Sequence, residues 1–289
     1  MTSAAKLVSV VVPFHNDERW LPTLLESLTR QESTRPWEIV AVNNRSTDGS
    51  RDVAERFIPL LPLRIVDAPE RANPSYARNT GAWAASGDAL IFIDADDAVA
   101  PNYVEAMSSA LTDHAVVTSR VDSTTLNAPW LRDAHGPPWQ EQGIASFLGF
   151  LPAAGVNIGI RRNLFERVAG FPLEFHGAED LAFSWLVQIE TGETLHFVPD
   201  AVYLYRYRNS YRSLFRQSAN WGRDHVVLFR RFRDAGMPGR SFAQAGREWL
   251  ALTAALARAR RGERPALVVR LGYAWGRLLG SARYRVPYP

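Results

Sequence analysis

The chain contains no cysteine. That absence excludes disulfides, thiolate zinc sites and cysteine nucleophiles, and it fits a reducing compartment. Lysine is nearly as scarce, so arginine supplies the positive charge. The net charge is only +3. Arginine's planar fork matches phosphate and carboxylate, so small acidic ligands are favoured over nucleic acid. Neither a P-loop nor a G-x-G-x-x-G is present, and a nucleotide here has no glycine-rich cradle. A G-x-S-x-G elbow is missing as well, which removes support for serine-hydrolase chemistry. Long apolar runs are absent. The first one, LVSVVVP, is too short to span a bilayer and ends in Pro13. It reads as a strand, not a signal peptide, and a cytoplasmic protein is expected.

What is present suffices for a full core. At 289 residues and 46% hydrophobic, the chain makes one large domain or a domain with a subdomain. The first half alternates β-branched runs with helical periods. Strands are expected at Leu7–Pro13, Trp37–Val42, Leu63–Val66, Ala89–Ile93 and Val116–Val121. Between them, one helix capped by Asp17 carries Trp20, Leu21, Leu24, Leu25 and Leu28 on one face. Others pass through Val53 and Phe57, run over Tyr76–Ser86 to a stop at Gly87, and run from Pro101 to Leu111. This alternation predicts an α/β fold with a mostly parallel sheet flanked by helices.

The stretch from Asp122 to Pro152 is rich in Pro, Gly and Trp and weakly periodic, and it reads as a substrate loop. Structure resumes at Gly155–Ile160, followed by helices over Asn163–Val168 and about Glu179–Glu190, then a strand at Leu195–Val198. Beyond Gly236-Met237-Pro238-Gly239 the sequence turns Ala/Arg/Leu-rich and helical. A boundary there separates residues 1–235 from an extension, 236–289. Within the first part, a nucleotide-binding half covers about 1–122 and an acceptor half about 123–235.

Ligands on such sheets bind beyond the carboxyl ends of the strands, and the polar clusters fall at those ends. They are His15-Asn16-Asp17, Asn43-Asn44, Asp67, and Asp94-Ala95-Asp96-Asp97. Three carboxylates in four residues repel one another, and Mg²⁺ or Mn²⁺ held with a diphosphate relieves that repulsion. The plainer alternative is an acidic turn. Glu179-Asp180 opens a helix, where acidic residues are favoured by the dipole alone; a general base is the sharper reading. In YLYRYRNSYRSLFR, strand spacing puts Tyr203, Tyr205 and Tyr207 on one face, opposite Arg206 and Arg208. Arg212 and Arg216 fall one helical turn apart. These arginines either edge the surface or neutralise a leaving diphosphate. Arg78-Asn79, His15 and His176 are further candidates for polar contacts, each with a structural alternative.

Taken together, VSVVVPFHND, VNNRSTDGS, ARNTGAWAASGDALIFIDADD, GVNIGIRRNLFERVAGFPLEFHGAED and YLYRYRNSYRS resemble the family-2 glycosyltransferases of the GT-A fold. The resemblance covers roughly residues 7 to 216, in order. It implies an inverting transfer of a sugar from a nucleotide-diphosphate donor to a hydroxyl of a carbohydrate or lipid-linked acceptor. Pro13 and His15 then line the nucleotide pocket. Asn43 and Asn44 stand where the family often has paired aspartates, which leaves the donor's base open, and Asp67 joins them. Arg78 matches the arginine of the family's A-R-N element, while Arg208 and Arg212 are assigned to the donor. Asp94 and Asp96 match the D-x-D pair, with Asp97 as an adjacent metal ligand; the cofactor is Mn²⁺ or Mg²⁺. Asp180 matches the catalytic base, with Glu179 orienting or binding the acceptor.

No Q-x-x-R-W element is found, which disfavours a processive synthase. A sugar-nucleotidyltransferase would need a glycine-rich N-terminal loop that the chain lacks, and a non-catalytic sugar-binding module has little use for the acidic groups. In residues 264–289, Leu267, Leu271, Trp275 and Leu278 can share a helical face flanked by arginines. That helix packs on the catalytic domain or lies on the inner face of an anionic membrane.

Overall fold

The computed structural model describes residues 7–289 except 136, 137, 139 and 156. Val156, within the strand expected from Gly155, lies outside the described residues. The first half builds as its periodicity dictates. β1 (Val8–Phe14), β2 (Trp37–Asn43), β3 (Leu63–Asp67) and β4 (Ala89–Phe92) alternate with α1 (Leu21–Thr29), α2 (Ser50–Phe57) and α3 (Pro74–Ala84). The second half follows as β5 (Ala98–Val99), α4 (Tyr103–Asp113), β6 (Val116–Asp122), α5 (Pro129–His135), β7 (Ile158–Arg161), α6 (Arg162–Arg167), α7 (Glu179–Thr191) and β8 (His196–Leu204). It closes with α8 (Tyr211–Phe232), α9 (Phe242–Arg258) and α10 (Arg264–Tyr284).

One eight-stranded sheet runs in the order β3-β2-β1-β4-β7-β6-β8-β5. The run β3-β2-β1-β4 is parallel throughout, and so is the β6–β8 pair. Antiparallel pairings of β7 with β4 and β6, and of β5 with β8, make the sheet mixed overall. Residues along β1 alternate between two cores. Val8, Val10 and Val12 pack with α1 and α4, and Val11 packs with Val40, Val42, Phe92 and Phe165 on the opposite face. Burial on both faces explains why the strand reads as unbroken valine.

Several local expectations shift. Asp17 does not cap α1: its carboxylate accepts from the His15 N–H at 2.9 Å, and the helix starts one turn later without a side-chain cap. α3 begins earlier, because the Asn73 side chain caps it by accepting from the Tyr76 N–H at 2.9 Å. It ends at Ala84, short of Gly87. Gly87 serves a close approach instead, since a Cβ there would lie 2.6 Å from Ser9 Oγ. β8 continues past Val198 through a bulge opposite Ser119/Arg120 and stops at Leu204. Only Tyr203 of the three tyrosines is therefore in a strand.

The segment after Gly236 does not stand apart. α10 lies against α8 along Gly272, Gly276 and Gly280, which meet Ser218, the Ala219 carbonyl and Val226 of α8, while Gly222 of α8 faces the Tyr273 carbonyl. A Cβ at Gly222, Gly272 or Gly276 would collide with the partner helix, so glycine is what lets the two backbones approach. Val286 and Tyr288 then pack with Phe175, Trp185 and Val226, which anchors the C-terminus in the core beside α7.

Candidate active site

The carboxyl ends of β1, β2 and β3 place the first polar groups side by side. Phe14 is in register with Asn43, and Asn43 with Asp67. Asn43 donates to Asp67 at 2.9 Å, and Arg51 pairs with the same carboxylate at 2.7 Å. These contacts hold the Asp67 carboxyl below its usual range. His15 Nδ1 lies 2.6 Å from the Asn44 carbonyl. Asn44 itself is buried, donating to the Ala68 and Arg71 carbonyls and accepting from the Asn73 N–H. Its amide is thus spent on the loop that leads into α3. Pro13, His15, Asn43, Asn44 and Asp67 thus gather at the carboxyl ends of β1, β2 and β3, outside the lining of the cavity described below.

β4 runs into the acidic turn. Asp94, Asp96 and Asp97 each offer an oxygen within 4.8 Å of the others. Such clustered hard oxygens suit Mg²⁺ or Mn²⁺. The three are held differently. Asp97 is buried and accepts from Tyr203 Oη and from the Arg206 N–H, both at 2.7 Å. Burial, then its acidic neighbours, push its carboxyl well up. Asp96 pairs with Arg208 at 2.9 Å, and burial raises its carboxyl too. Asp94 receives Arg78 at 2.6 Å. Asp17 lies within the field of this cluster, pushed up to about 6 chiefly by burial and further by Asp96 and Asp94.

Arg78 is the central connector. It is 2% exposed, and it spans from Asp94 to Glu179 Oε1, again at 2.6 Å. The charge of both partners, with Asp180 beside them, holds it protonated against its burial. Asn79, its neighbour, fastens the approach to α7 by exchanging hydrogen bonds with the Phe171 backbone at 2.8 Å. Asn73 adds bonds to the Leu173 and Phe175 carbonyls. From the other side, buried Asp224 of α8 accepts from the His176 N–H at 2.7 Å. α7 therefore opens at a fixed place, with Glu179 turned to Arg78 and Asp180 on a cavity wall. Burial, then the Glu179 charge, push the Asp180 carboxyl upward; Arg78 pulls it back. Once deprotonated, a carboxylate raised in this way is a stronger base than a free one.

The cavity measures about 770 Å³. Asp94, Glu179, Asp180, Tyr203, Tyr205, Tyr207 and Arg208 all line it. The alternation expected past Tyr203 fails at Arg208, because extended spacing ends with β8. Arg208 joins the tyrosines in the cavity, whereas Arg206 turns away to stack on Trp20 at 4.3 Å. Asn127 clamps this coil, donating to the Tyr205 carbonyl and accepting from the Tyr207 N–H. The expected substrate loop contributes His135, stacked on Tyr207 at 4.1 Å, with Gln140 and Phe147. His176 lines the cavity as well. Arg212 does not; it borders a separate groove on the outer side of α8 with Arg216 and Arg223.

The opposite wall comes from helices whose role the sequence did not suggest. Gln217, Asn220, Trp221 and His225 of α8 and Tyr273 of α10 face the acidic groups. Trp221 and Tyr273 stack at 5.7 Å and 27°. Gly177, ahead of α7, passes so close to Trp221 that a Cβ would lie 3.1 Å from its ring. The repeat Gly272-x-x-x-Gly276-x-x-x-Gly280 was the available signal that α10 packs tightly against another helix.

Residues 9–169 match the family described as Glycosyl transferase family 2. Glycosyltransferase YibD of Escherichia coli is 33% identical over 141 residues, 48% of this chain and 39% of that protein. The matched segment thus spans well under two thirds of that relative. Among solved structures, a mannosyltransferase from Pyrobaculum calidifontis bound to GDP-Man and Mn²⁺ superposes with a TM-score of 0.63. It is 20% identical, over 96% of this chain and 88% of its own. TarS of Staphylococcus aureus, residues 1–349 with UDP-GlcNAc, gives 0.58 at 18% identity, over 96% and 91%. At these identities the likeness concerns the fold, which is the GT-A arrangement expected from the sequence.

Proposed function

The chain belongs to glycosyl transferase family 2, and from that premise we propose that it transfers a sugar from a nucleotide-diphosphate donor to a carbohydrate hydroxyl with inversion. The observation that carries this reading is the Arg78 bridge. It ties the acidic turn at Asp94 to Glu179, next to Asp180, on the wall of one cavity. The donor's nucleotide lies along Pro13, His15, Asn43 and Asp67, with its diphosphate directed to the acidic turn and Arg208. Asp96, with Asp94 and Asp97, would hold a divalent cation, Mn²⁺ or Mg²⁺, which supplies positive charge against the diphosphate. The solved mannosyltransferase of this fold is bound to GDP-Man and Mn²⁺, which is consistent with a divalent cation beside a nucleotide sugar.

Asp180 removes the proton of the acceptor hydroxyl. The resulting oxygen attacks the anomeric carbon from the face opposite the diphosphate, and the bond from that carbon to the phosphate oxygen breaks. Glu179, neutralised by Arg78, orients the acceptor. The Trp221–Tyr273 stack supports a sugar acceptor, because an aromatic face matches the apolar C–H face of a pyranose while its rim hydroxyls reach Gln217 and Asn220.

The test is release of nucleoside diphosphate from a panel of nucleotide sugars with Mn²⁺ and glycan acceptors. Asp180→Asn should keep donor affinity and lose about 10²–10⁴-fold in turnover. Near-full turnover in that variant would sink the base assignment. No release from any donor would sink the transferase reading.

A further inference from the structure

α8 and α10 form a two-helix plate with an inner and an outer side. The inner side closes the cavity. The outer side carries a groove of about 320 Å³ between Arg212, Arg216 and Arg223 of α8 and Trp275 and Leu279 of α10. Two kinds of surface meet there. On α10, Leu271, Trp275, Leu278, Leu279 and Ala282 recur at helical spacing on one face. Trp275, Leu278 and Leu279 are 42%, 44% and 48% exposed. Single exposed apolar residues are ordinary, but contiguous ones beside clustered charge mark a binding surface.

The charge is one-sided. α8 holds five arginines and one carboxylate, and α10 four arginines and none; of these, Arg231 pairs with Glu174 and buried Arg277 with Glu248. That single carboxylate, Asp224, is buried and engaged with the His176 backbone. Arg212 and Arg216 have neither ion pair nor hydrogen bond among the described residues. Arg223 donates to Asn220 at 2.7 Å, and its Nε is buried without a partner. An arginine-lined groove with an apolar rim complements a phosphate carried on a lipid. A second copy of the chain fits poorly, since self-pairing through this face sets arginine against arginine. No helix among the described residues is long and apolar enough to cross a membrane.

We propose that the outer face of the α8–α10 plate docks on an anionic lipid surface, with a headgroup phosphate in the groove between Arg212, Arg216 and Arg223 and with Trp275, Leu278 and Leu279 in the interfacial layer. Lipid-facing aromatics and leucines beside arginines are what an interfacial helix requires. Arg216 and Asn220 line both the groove and the cavity. Docking therefore sets the cavity rim at the membrane, where an acceptor borne on a lipid reaches Asp180; this consequence alone rests on the transferase reading.

The experiment is co-sedimentation of the full chain with phosphatidylcholine vesicles, with and without phosphatidylglycerol, over a salt series. The chain should pellet with the anionic vesicles, poorly with the neutral ones, and less as salt rises. Arg212→Ala should lower the partition coefficient about fivefold, the effect of one arginine near such a surface. Trp275→Ser with Leu279→Ser should lower it at least as much, while the thermal midpoint and nucleotide-sugar turnover with a soluble acceptor are retained. Equal pelleting with both vesicle types overturns the proposal, as does undiminished pelleting of the double variant. Thermal stabilisation by inorganic phosphate without vesicle binding would identify a free anion as the ligand, and a dimer dispersed by Trp275→Ser would identify a second copy; either result overturns it. Failure of transfer to any acceptor leaves the sedimentation result intact, so the two readings fail separately.

Discussion

Arg78 shows how one side chain can hold two acidic groups at a fixed distance. Its guanidinium forks to Asp94 and Glu179, each at 2.6 Å, a geometry that lysine's single ammonium cannot reproduce. Removing one member of a buried pair leaves a charge without compensation and costs about 3–5 kcal/mol. Arg78→Met should therefore lower stability by about that amount in denaturant unfolding. Arg78→Lys should recover part of the stability but little turnover, because only one of the two carboxylates stays engaged. A lysine variant with normal stability and normal turnover would show that the fork is dispensable. The sequence placed Arg78 on a helix near the ligand edge, yet its two partners, Asp94 in the turn after β4 and Glu179 of α7, lie 16 and 101 residues along the chain, and only the tertiary structure reveals the bridge.

At the scale of elements, the glycine-faced contact between α8 and α10 decides the shape of the cavity wall. Gly276 meets the Ala219 carbonyl, so a methyl group there forces the helices apart and displaces Tyr273 one turn earlier. Gly246 in α9 has open space around it. The two positions make a matched pair. Gly246→Ala should stabilise by about 0.5–1 kcal/mol through helix propensity. Gly276→Ala should lose about 1–3 kcal/mol to overpacking, outweighing the same gain. Calorimetry on both variants decides it, and a stabilised Gly276→Ala would mean that the helices are less tightly packed than described. Residues 236–289 read from sequence as an extension, since periodicity reports that a helix is amphipathic but not which neighbour it covers.

For the molecule as a whole, buried histidines and buried carboxylates pull the pH dependence of stability in opposite directions. Burial drives His225 down to about 3, helped by Arg277 and Arg240, and His135 down to about 4, from 6.5. Below pH 6.5 the unfolded chain takes up protons at these positions while the folded chain does not. Their contribution is full above 6.5 and is lost as pH falls toward the folded values, by about 1.4 kcal/mol per unit for each group. Asp17 and Asp224 act oppositely. Both are raised to about 6, mainly by burial, so the folded chain binds the proton first and gains stability as pH falls below 6. Comparison of variants isolates the histidine effect. His225→Gln should lose less thermal midpoint than the parent between pH 7.5 and pH 5; parallel curves would show that His225 is not held neutral.

The sequence by itself determined the strand–helix alternation of the first half, the polar strand ends, the acidic turn and the Glu179-Asp180 helix start. Those features are local: unbroken valine marks a strand buried on both faces, and a carboxylate cluster after such a strand is visible without knowing its neighbours. Tertiary structure decided what the local pattern does not encode. It brought Asp17 to the acidic turn, separated Arg206 from Arg208 once the strand ended, and joined Asp94 to Glu179 through Arg78. It also set Trp221 and Tyr273 opposite Asp180, while Arg212 went to the outer groove. Each of these depends on contacts between residues distant in the chain, and such contacts follow from how helices and sheet bury their surfaces together.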